Sequence, residues 1–289
     1  MFKTVLVPIK GDASDGASLG TALAVATLFD AHIDVAHIQN ELPVLVPVTG
    51  QNSAQMISGL QYVSALWECT RDRRNSARQQ YGQFCTEAKI RETDDPAAKR
   101  AVSAAWIDHE GNEIDHIVRM AHRHDLIVLH AAPGESDGFS TEEAGEVILS
   151  RSGPVMLAPR RPPTRIARTI VVAWKNTPEA AAAVAAAMPL LYRAERIFVV
   201  SVTSEDQMSD PSVDGIVVRL RWHGLDAVAD PIEARHSLPA IRLMEHAGSL
   251  GADLLVMGAY GRNRMHEFIF GSFTKQVLSG ASLPVFLTH

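Results

Sequence analysis

Short apolar runs alternate with longer segments of helical periodicity along the whole chain. Residues 4–9 and 125–129 are almost uniformly apolar, as is typical of parallel strands that are buried on both faces. Between such runs, apolar residues recur at the spacing of one helix face, as from Ile114 to Ala121. The alternation predicts an α/β fold with a doubly wound parallel sheet.

The pattern occurs twice. Three segments of the first part have counterparts in the second: 3–10 with 168–175, 125–129 with 253–257, and 153–158 with 283–288. Such self-similarity indicates a duplication. The seam is the proline-rich and charged segment 159–165, which suits neither a helix nor a sheet. We therefore predict two domains, 1–160 and 166–289, called below the first and second half.

The first half carries additional sequence. Residues 51–94 are polar and rich in Gln and Arg, and they are predicted to form one long helix or two, with the charges of residues 71–74 on a solvated face. The remaining strands are expected at 33–38 and within 101–107 in the first half. In the second half they are expected at 197–202 and 226–231.

A glycine-rich stretch follows the apolar run 253–257. Gly258 and Gly261 allow sharp turns and a close backbone approach, and Gly271 and Ser272 stand where a helix begins. A strand, a glycine loop and a helix start in this order suit a phosphate, because free amides and the helix dipole point at it together. The alternative is a glycine-softened loop without a ligand.

Composition excludes several classes of protein. A length of 289 residues suits two domains, and a formal charge of −6 argues against a general nucleic-acid binder. There is no apolar run of about eighteen residues to span a membrane, and the N-terminus predicts a first strand rather than a signal peptide. Cys69 and Cys85 lack a CxxC partner and are expected to be free thiols. A cytoplasmic protein is the default expectation.

The glycine stretch also carries a resemblance. A strand ending Val-Met-Gly, then Gly-x-x-Gly, nine residues, Gly-Ser, a helix and a Pro-Val terminal strand resembles the ATP-binding signature of the universal stress proteins. The two halves together resemble a tandem member of that family. The resemblance implies two Rossmann-like domains of five parallel strands each, joined through their last strands as an intramolecular pseudo-dimer. Whether two chains pair further as a homodimer stays open.

The resemblance also implies a binding site for ATP or a related adenine nucleotide, with or without Mg²⁺, in the second half. Val202 would lie beside the adenine. The other residues that it implies belong to the glycine stretch and would lie near the ribose and the phosphates: Met257, Gly258, Tyr260, Gly261, Gly271, Ser272, Phe273 and Thr274. Arg262 is a candidate for a phosphate contact.

The ends of the first strands depart from the family. ATP-binding members usually place an aspartate there, whereas this chain has Lys10 and Lys175. A lysine cannot accept the hydrogen bonds of a carboxylate. Ala173, Trp174 and Lys175 are expected to flank the site, with phosphate binding retained and base recognition altered. Trp174 would stack on a base or fill its place, and in the alternative Lys175 pairs with a carboxylate and the pocket is closed.

The first half departs further, because His130 and Pro133 replace the glycines and acids replace the basic loop: Glu135, Asp137, Glu142 and Glu143. Four carboxylates would repel a phosphate. We therefore expect no nucleotide there; the half would serve dimerisation or hold another ligand against His130. His116, His122 and His124 point in well-separated directions on a helix, so they are expected to be polar residues of a solvated helix rather than metal ligands.

No nucleophile with a His-acid pair is evident, so no catalytic residue is assigned. The resulting hypothesis is a stress-response protein that binds a nucleotide and regulates unidentified protein partners. ATP would order residues 261–271 and so change partner binding. Slow ATP hydrolysis, and an interaction scaffold without nucleotide, are the alternatives.

Overall fold

The computed structural model describes residues 1–40, 53–98, 101–131, 137–151, 153–203, 210–234, 237–259 and 272–289; of residues 53–60, 98, 272 and 278–280 it describes the backbone alone. Strands and helices alternate through both halves, as the apolar periodicity predicts. The predicted strands are present, and most differ from the prediction by one to three residues at their ends.

The first half contains six strands and four helices in its described part. The strands are β1 (Thr4–Ile9), β2 (His32–Gln39), β3 (Arg91–Glu92), β4 (Ser103–Glu110), β5 (Leu126–Leu129) and β6 (Val155–Leu157). The helices are α1 (Asp15–Phe29), α2 (Ser53–Glu87), α3 (Glu113–Ala121) and α4 (Thr141–Ser150). The additional segment is therefore one helix of 35 residues, not two.

The described part of the second half repeats this order. Its strands are β7 (Thr169–Ala173), β8 (Arg196–Val200), β9 (Val202–Thr203), β10 (Ala227–Ala229), β11 (Ile232–Glu233), β12 (Leu254–Gly258) and β13 (Val285–Thr288). Its helices are α5 (Pro178–Leu191), α6 (Ser212–Trp222), α7 (Pro239–Ser249) and α8 (Ser272–Gly280). Strands β9 and β11 form a separate two-stranded parallel pair.

All other strands join one sheet of eleven strands in the order β10-β8-β7-β12-β13-β6-β5-β1-β2-β4-β3. The pairs within each half are parallel, and the halves meet where β13 pairs with β6 in the antiparallel direction, with Phe286 opposite Met156. This confirms the pseudo-dimer through the last strands. The short β3 adds a sixth strand to the five expected in the first half.

The core lies on both faces of this sheet. One hydrophobic cluster contains residues of β1, β7, α1 and α5, and the other contains residues of β5, β12, α3 and α7. Both clusters include residues of the two halves; on the first face, the rings of Phe2 and Phe286 lie 6.0 Å apart. In the seam, Pro162 packs so closely on α1 that a Cβ on Gly20 would lie 2.4 Å from its ring. Each of the two cores therefore extends across both halves.

Candidate functional site

Strand order reverses between β7 and β12 in the second half and between β1 and β5 in the first. A crevice at the carboxyl ends of the strands is expected at each reversal, and this is where doubly wound sheets bind ligands. We call them the second and the first crevice. Ala173 and Met257 are partners in the β7–β12 register. The fold thus brings the ends of two predicted segments, 173–175 and 257–258, to one place.

Trp174 belongs to the core at the base of the second crevice. It is 9% exposed and lies in the cluster that contains residues of α5 and α6. Its Nε1 donates a hydrogen bond to Ser212 Oγ at 2.8 Å, and its backbone N–H donates to the carbonyl of Val200 at 2.8 Å. With this little exposed surface the indole is fixed as a core side chain, which leaves little of its ring for stacking on a base.

The loop after β7 is tied to the start of α6 through an aspartate. Asp210 accepts the backbone N–H of Ser212 at 2.9 Å. Hydrogen bonds from the Ser212 side chain and backbone, together with one from the backbone of Asn176, lower the pKa of Asp210. Sequence reasoning missed this contact, although Asp-Pro-Ser before an amphipathic helix is a recognisable N-terminal signal.

Lys175 is exposed at the rim of the second crevice. Its carbonyl accepts the N–H of Thr177 at 2.7 Å, and Thr177 caps α5 by accepting the N–H of Ala180 at 3.3 Å. Within the described ranges, no carboxylate forms an ion pair with its ammonium. The alternative in which an internal carboxylate neutralises Lys175 therefore has no support in this part of the chain.

Gly258 has a packing role. A Cβ at this position would lie 2.5 Å from the backbone nitrogen of Ala180 and 2.5 Å from the carbonyl carbon of Glu179. Only glycine therefore lets the first turn of α5 pack against the end of β12. The sequence predicted that Gly258 approaches a ligand closely; in the structure it approaches α5. This contact positions the start of α5 at the crevice.

Val202 lies further along the same edge, partly buried in β9 and paired with Ile232 of β11. A cavity of about 520 Å³ adjoins this pair. It is lined by residues that follow β10 or belong to α7: Pro231, Ile232, Glu233, Ser237, Arg242 and Glu245. The lining thus includes Ile232, the strand partner of Val202, but not Val202 itself.

Helix α8 supplies the remaining described positions. Its backbone begins at Ser272, Phe273 is partly buried, and Thr274 is buried. Tyr260, Gly261, Arg262 and Gly271 lie outside the described residues. The predicted loop is therefore represented by its two ends, Gly258 and Ser272.

Two buried hydroxyls were not anticipated. Ser201 Oγ, next to the end of β8, and Thr288 Oγ1, at the end of β13, have no hydrogen-bond partner in the part of the chain that the structure describes. Both side chains are almost fully buried, and an unsatisfied buried hydroxyl costs about 1–3 kcal/mol. Thr288 stands opposite Gly258 in the strand register. Unsatisfied polar groups at the carboxyl edge are typical of places where a ligand or water completes the hydrogen bonding.

The first crevice is filled by its own charges. Lys10 Nζ lies 3.0 Å from Glu143 Oε1 and 3.4 Å from Glu113 Oε2, and it stands 4.3 Å above the ring of Phe139. We call Lys10, Glu113 and Glu143 the Lys10 cluster. The sequence suggested that Glu143 is one of four acids that repel a phosphate. In the structure its carboxylate is instead paired with the Lys10 ammonium.

Local hydrogen bonds fix the Lys10 cluster. Glu143 also completes a capping box with Ser140, whose N–H donates to Glu143 Oε2 at 2.7 Å. Burial would raise the pKa of Glu143, but the Ser140 N–H and the Lys10 ammonium hold it below its ordinary value. Burial raises the pKa of Glu113.

Helix α2 closes the first crevice from one side. A Cβ on Gly11 would lie 2.0 Å from the carbonyl oxygen of Arg73, so the backbone of α2 rests on the loop after β1. Arg74, expected on a solvated face, is exposed but donates to Asp108 at 2.7 Å. Beneath this contact, burial raises the pKa of Asp15 to about 7, although its carboxylate accepts the N–H groups of Lys10 and Gly11.

The histidines of the first half serve packing and hydrogen bonding. His130 is buried, and its Nδ1 donates to the carbonyl of Ala158 at 2.9 Å. His124 was expected on a solvated helix face; instead its side chain is buried and its Nε2 lies 2.8 Å from Asp34 Oδ2. Across the described residues, no three His, Cys, Asp or Glu side chains are grouped so that they could hold a metal.

The architecture defines a class: two doubly wound α/β domains joined through their last strands, with a ligand-type crevice at each strand reversal. Residues 167–289 match the Universal stress protein family. The second half therefore resembles a universal stress protein domain, and the whole chain shares the fold of a solved universal stress protein that it covers almost completely.

Three known proteins are similar to this chain to different extents. The chain is 35% identical over 49 residues to the stress response protein NhaX of Bacillus subtilis (strain 168), a match that spans 17% of this chain and 30% of that protein. It is similar over 99% of its length to 95% of a universal stress protein from Archaeoglobus fulgidus DSM 4304, with a TM-score of 0.71 and 13% identity. A universal stress protein solved in complex with cAMP covers 42% of this chain and aligns over 97% of its own, with a TM-score of 0.33 and 19% identity.

In the described part of the chain, no helix is both long and apolar enough to cross a membrane.

Proposed function

We propose that the second half binds ATP or a related adenine nucleotide and acts as a nucleotide-responsive regulatory module in a stress response. The observation that carries the proposal is the difference between the two crevices. The first is filled by the Lys10 cluster, whereas the second has an exposed lysine without an ion pair in the described residues. The family match to residues 167–289 supports the same half.

The proposed binding residues lie along the second crevice. They are Ala173, Trp174, Lys175, Val202, Met257, Gly258, Tyr260, Gly261, Arg262, Gly271, Ser272, Phe273 and Thr274. Trp174 and Gly258 contribute by packing. Trp174 is a core side chain beneath the site, and Gly258 leaves room for the first turn of α5 to pack against β12. The phosphates are assigned to the start of α8, where unpaired N–H groups and the positive end of the helix dipole attract anions.

The domain boundaries 1–160 and 166–289 remain predictions. So does the expectation that the first half binds no nucleotide and serves dimerisation or holds another ligand against His130. We place the protein in the cytoplasm, because Cys69 and Cys85 are free thiols, as is usual in a reducing compartment. ATP is proposed to bind with or without Mg²⁺ and to alter the contacts of the second half with a protein partner.

Isothermal titration of the purified full chain with ATP and Mg·ATP tests the binding, and hydrogen exchange tests the response. We expect a saturable site and increased protection of residues 261–271 when ATP is present. Absence of binding to ATP, ADP, AMP and cAMP would overturn the proposed function. Binding with unchanged protection would retain the nucleotide site and reject its regulatory role.

A further inference from the structure

The duplication places a lysine at the same position of both crevices. In the alignment of residues 3–10 with 168–175, Lys10 corresponds to Lys175. Lys10 directly follows β1, and Lys175 follows β7 after one further residue. The two side chains therefore start from equivalent points of the sheet, and their surroundings can be compared residue by residue.

In the first half, the lysine is neutralised by the first turns of two helices. Glu143 is the third residue of α4, and Glu113 is the first residue of α3. Their carboxylates lie 3.0 Å and 3.4 Å from Lys10 Nζ. A lysine side chain at this position is thus long enough to reach an anionic group at the start of the last helix of its half.

In the second half, both acids are missing. The third residue of α8 is Thr274, and the first residue of α7 is Pro239. The second half thus keeps the lysine, as Lys175, but has no carboxylate at the positions that correspond to Glu113 and Glu143. Since a carboxylate and a phosphate oxygen are alternative partners for an ammonium group, the change leaves a place for an anion supplied by a ligand.

We propose that Lys175 binds a phosphate group of the ligand at the place that the Glu143 carboxylate fills in the first half. This rests on the proposed function for the identity of the ligand as a nucleotide. The ligand's phosphate is held between the Lys175 ammonium and the first turn of α8. The site therefore selects phosphorylated ligands over the nucleoside, and Glu143 acts in the first half as a built-in substitute for that phosphate.

The first experiment measures ATP, AMP, adenosine and tripolyphosphate binding to the full chain by isothermal titration, for the wild type, Lys175→Met and the control Lys89→Met. Lys89 is exposed and carries the same charge. We expect Lys175→Met to weaken ATP and tripolyphosphate binding about 10- to 100-fold, the range of a charge-assisted hydrogen bond. Adenosine binding should change less than about twofold, and Lys89→Met should behave as the wild type.

A second pair of variants tests the substitution of a carboxylate for the phosphate. Thr274→Glu installs the Glu143 carboxylate in the second half, and Thr274→Gln has nearly the same size without the charge. We expect Thr274→Glu to weaken ATP binding at least about tenfold more than Thr274→Gln, because the new carboxylate pairs with Lys175. Thermal unfolding of both variants identifies any loss of folding, and Thr274→Gln corrects for the added bulk at this buried position.

The outcomes separate the two proposals. If ATP binds and Lys175→Met leaves its affinity unchanged, the role of Lys175 is overturned and the nucleotide site stands. If no nucleotide binds but the wild type binds tripolyphosphate and Lys175→Met does not, the proposed function fails and the anion site stands. If neither nucleotide nor tripolyphosphate binds, both are overturned.

Discussion

The two halves share one sheet and differ at the edge where ligands bind. In the first half, Lys10, Glu113 and Glu143 neutralise one another and α2 lies over the loop after β1. In the second half, the equivalent lysine is exposed, and Thr274 and Pro239 replace the acids. The same lysine position is thus neutralised within the protein in one copy of the fold and exposed in the other, where we propose that it binds a ligand.

The largest expected effect concerns the Lys10 cluster. Lys10→Met leaves two carboxylates facing each other, one of them buried, so we expect a loss of about 2–3 kcal/mol in the free energy of unfolding. Lys175→Met should change it by less than about 0.5 kcal/mol, since this lysine is exposed. Urea unfolding followed by circular dichroism measures both. Equal effects of the two substitutions would show that the lysines have the same role.

Gly258 and Gly215 form a second comparison, now within the second half. Gly258→Ala places a methyl group against the backbone of α5 and should cost about 1–3 kcal/mol by overpacking. Because it displaces the loop after β7, it should also weaken ATP binding. Gly215 lies in α6 with open space around its Cα, so Gly215→Ala is expected to stabilise by up to about 1 kcal/mol. A Gly258→Ala protein as stable as Gly215→Ala would contradict the packing role.

The third comparison is a pH dependence of stability that should come from the first half. The pKa of Asp15 is raised by burial from 3.8 to about 7, so the folded protein retains a proton there that the unfolded chain releases. Stability from this group is therefore present below about pH 4 and decreases as the pH rises to about 7, with a slope of at most about 1.4 kcal/mol per pH unit. In the alignment of the halves, Asp15 corresponds to Ala180.

Asp15→Asn should flatten the stability profile between pH 4 and 7, measured as the urea midpoint at each pH. Asp34 serves as a control, because its contribution to stability changes with pH in the opposite direction. Burial raises its pKa, but hydrogen bonds from His124 and His32 outweigh burial and hold it below its ordinary value, so its stabilisation is lost only as the pH falls below about 4. A profile of Asp15→Asn that follows the wild type between pH 4 and 7 would contradict the burial of an ionisable Asp15.

The fold was largely predictable from the sequence, because uniformly apolar strands and amphipathic helices repeat in order. The duplication of residues 3–10 in 168–175 predicted two halves, and the family resemblance supplied their contact through β6 and β13. A polar segment such as 51–94 has no strong periodicity, so the sequence could not decide between one helix and two.

The sites were harder to predict. Glu143 is 133 residues from Lys10, and nothing in the sequence links the start of α4 to the end of β1. The sequence predicted a close approach of Gly258 to a ligand. The structure shows its close approach to α5, which is set by helix packing that a local motif does not encode. The hydroxyls of Ser201 and Thr288 are ordinary in sequence, and their lack of partners emerges only from burial in the fold.

The central claim is that the chain binds one nucleotide, in the second half. Native mass spectrometry of the full chain titrated with ATP measures the number bound directly. We expect one ATP per chain for the wild type and for the control Lys89→Met, and none for Thr274→Glu at the same concentrations. Two ATP per chain, or one ATP retained by Thr274→Glu, would contradict it.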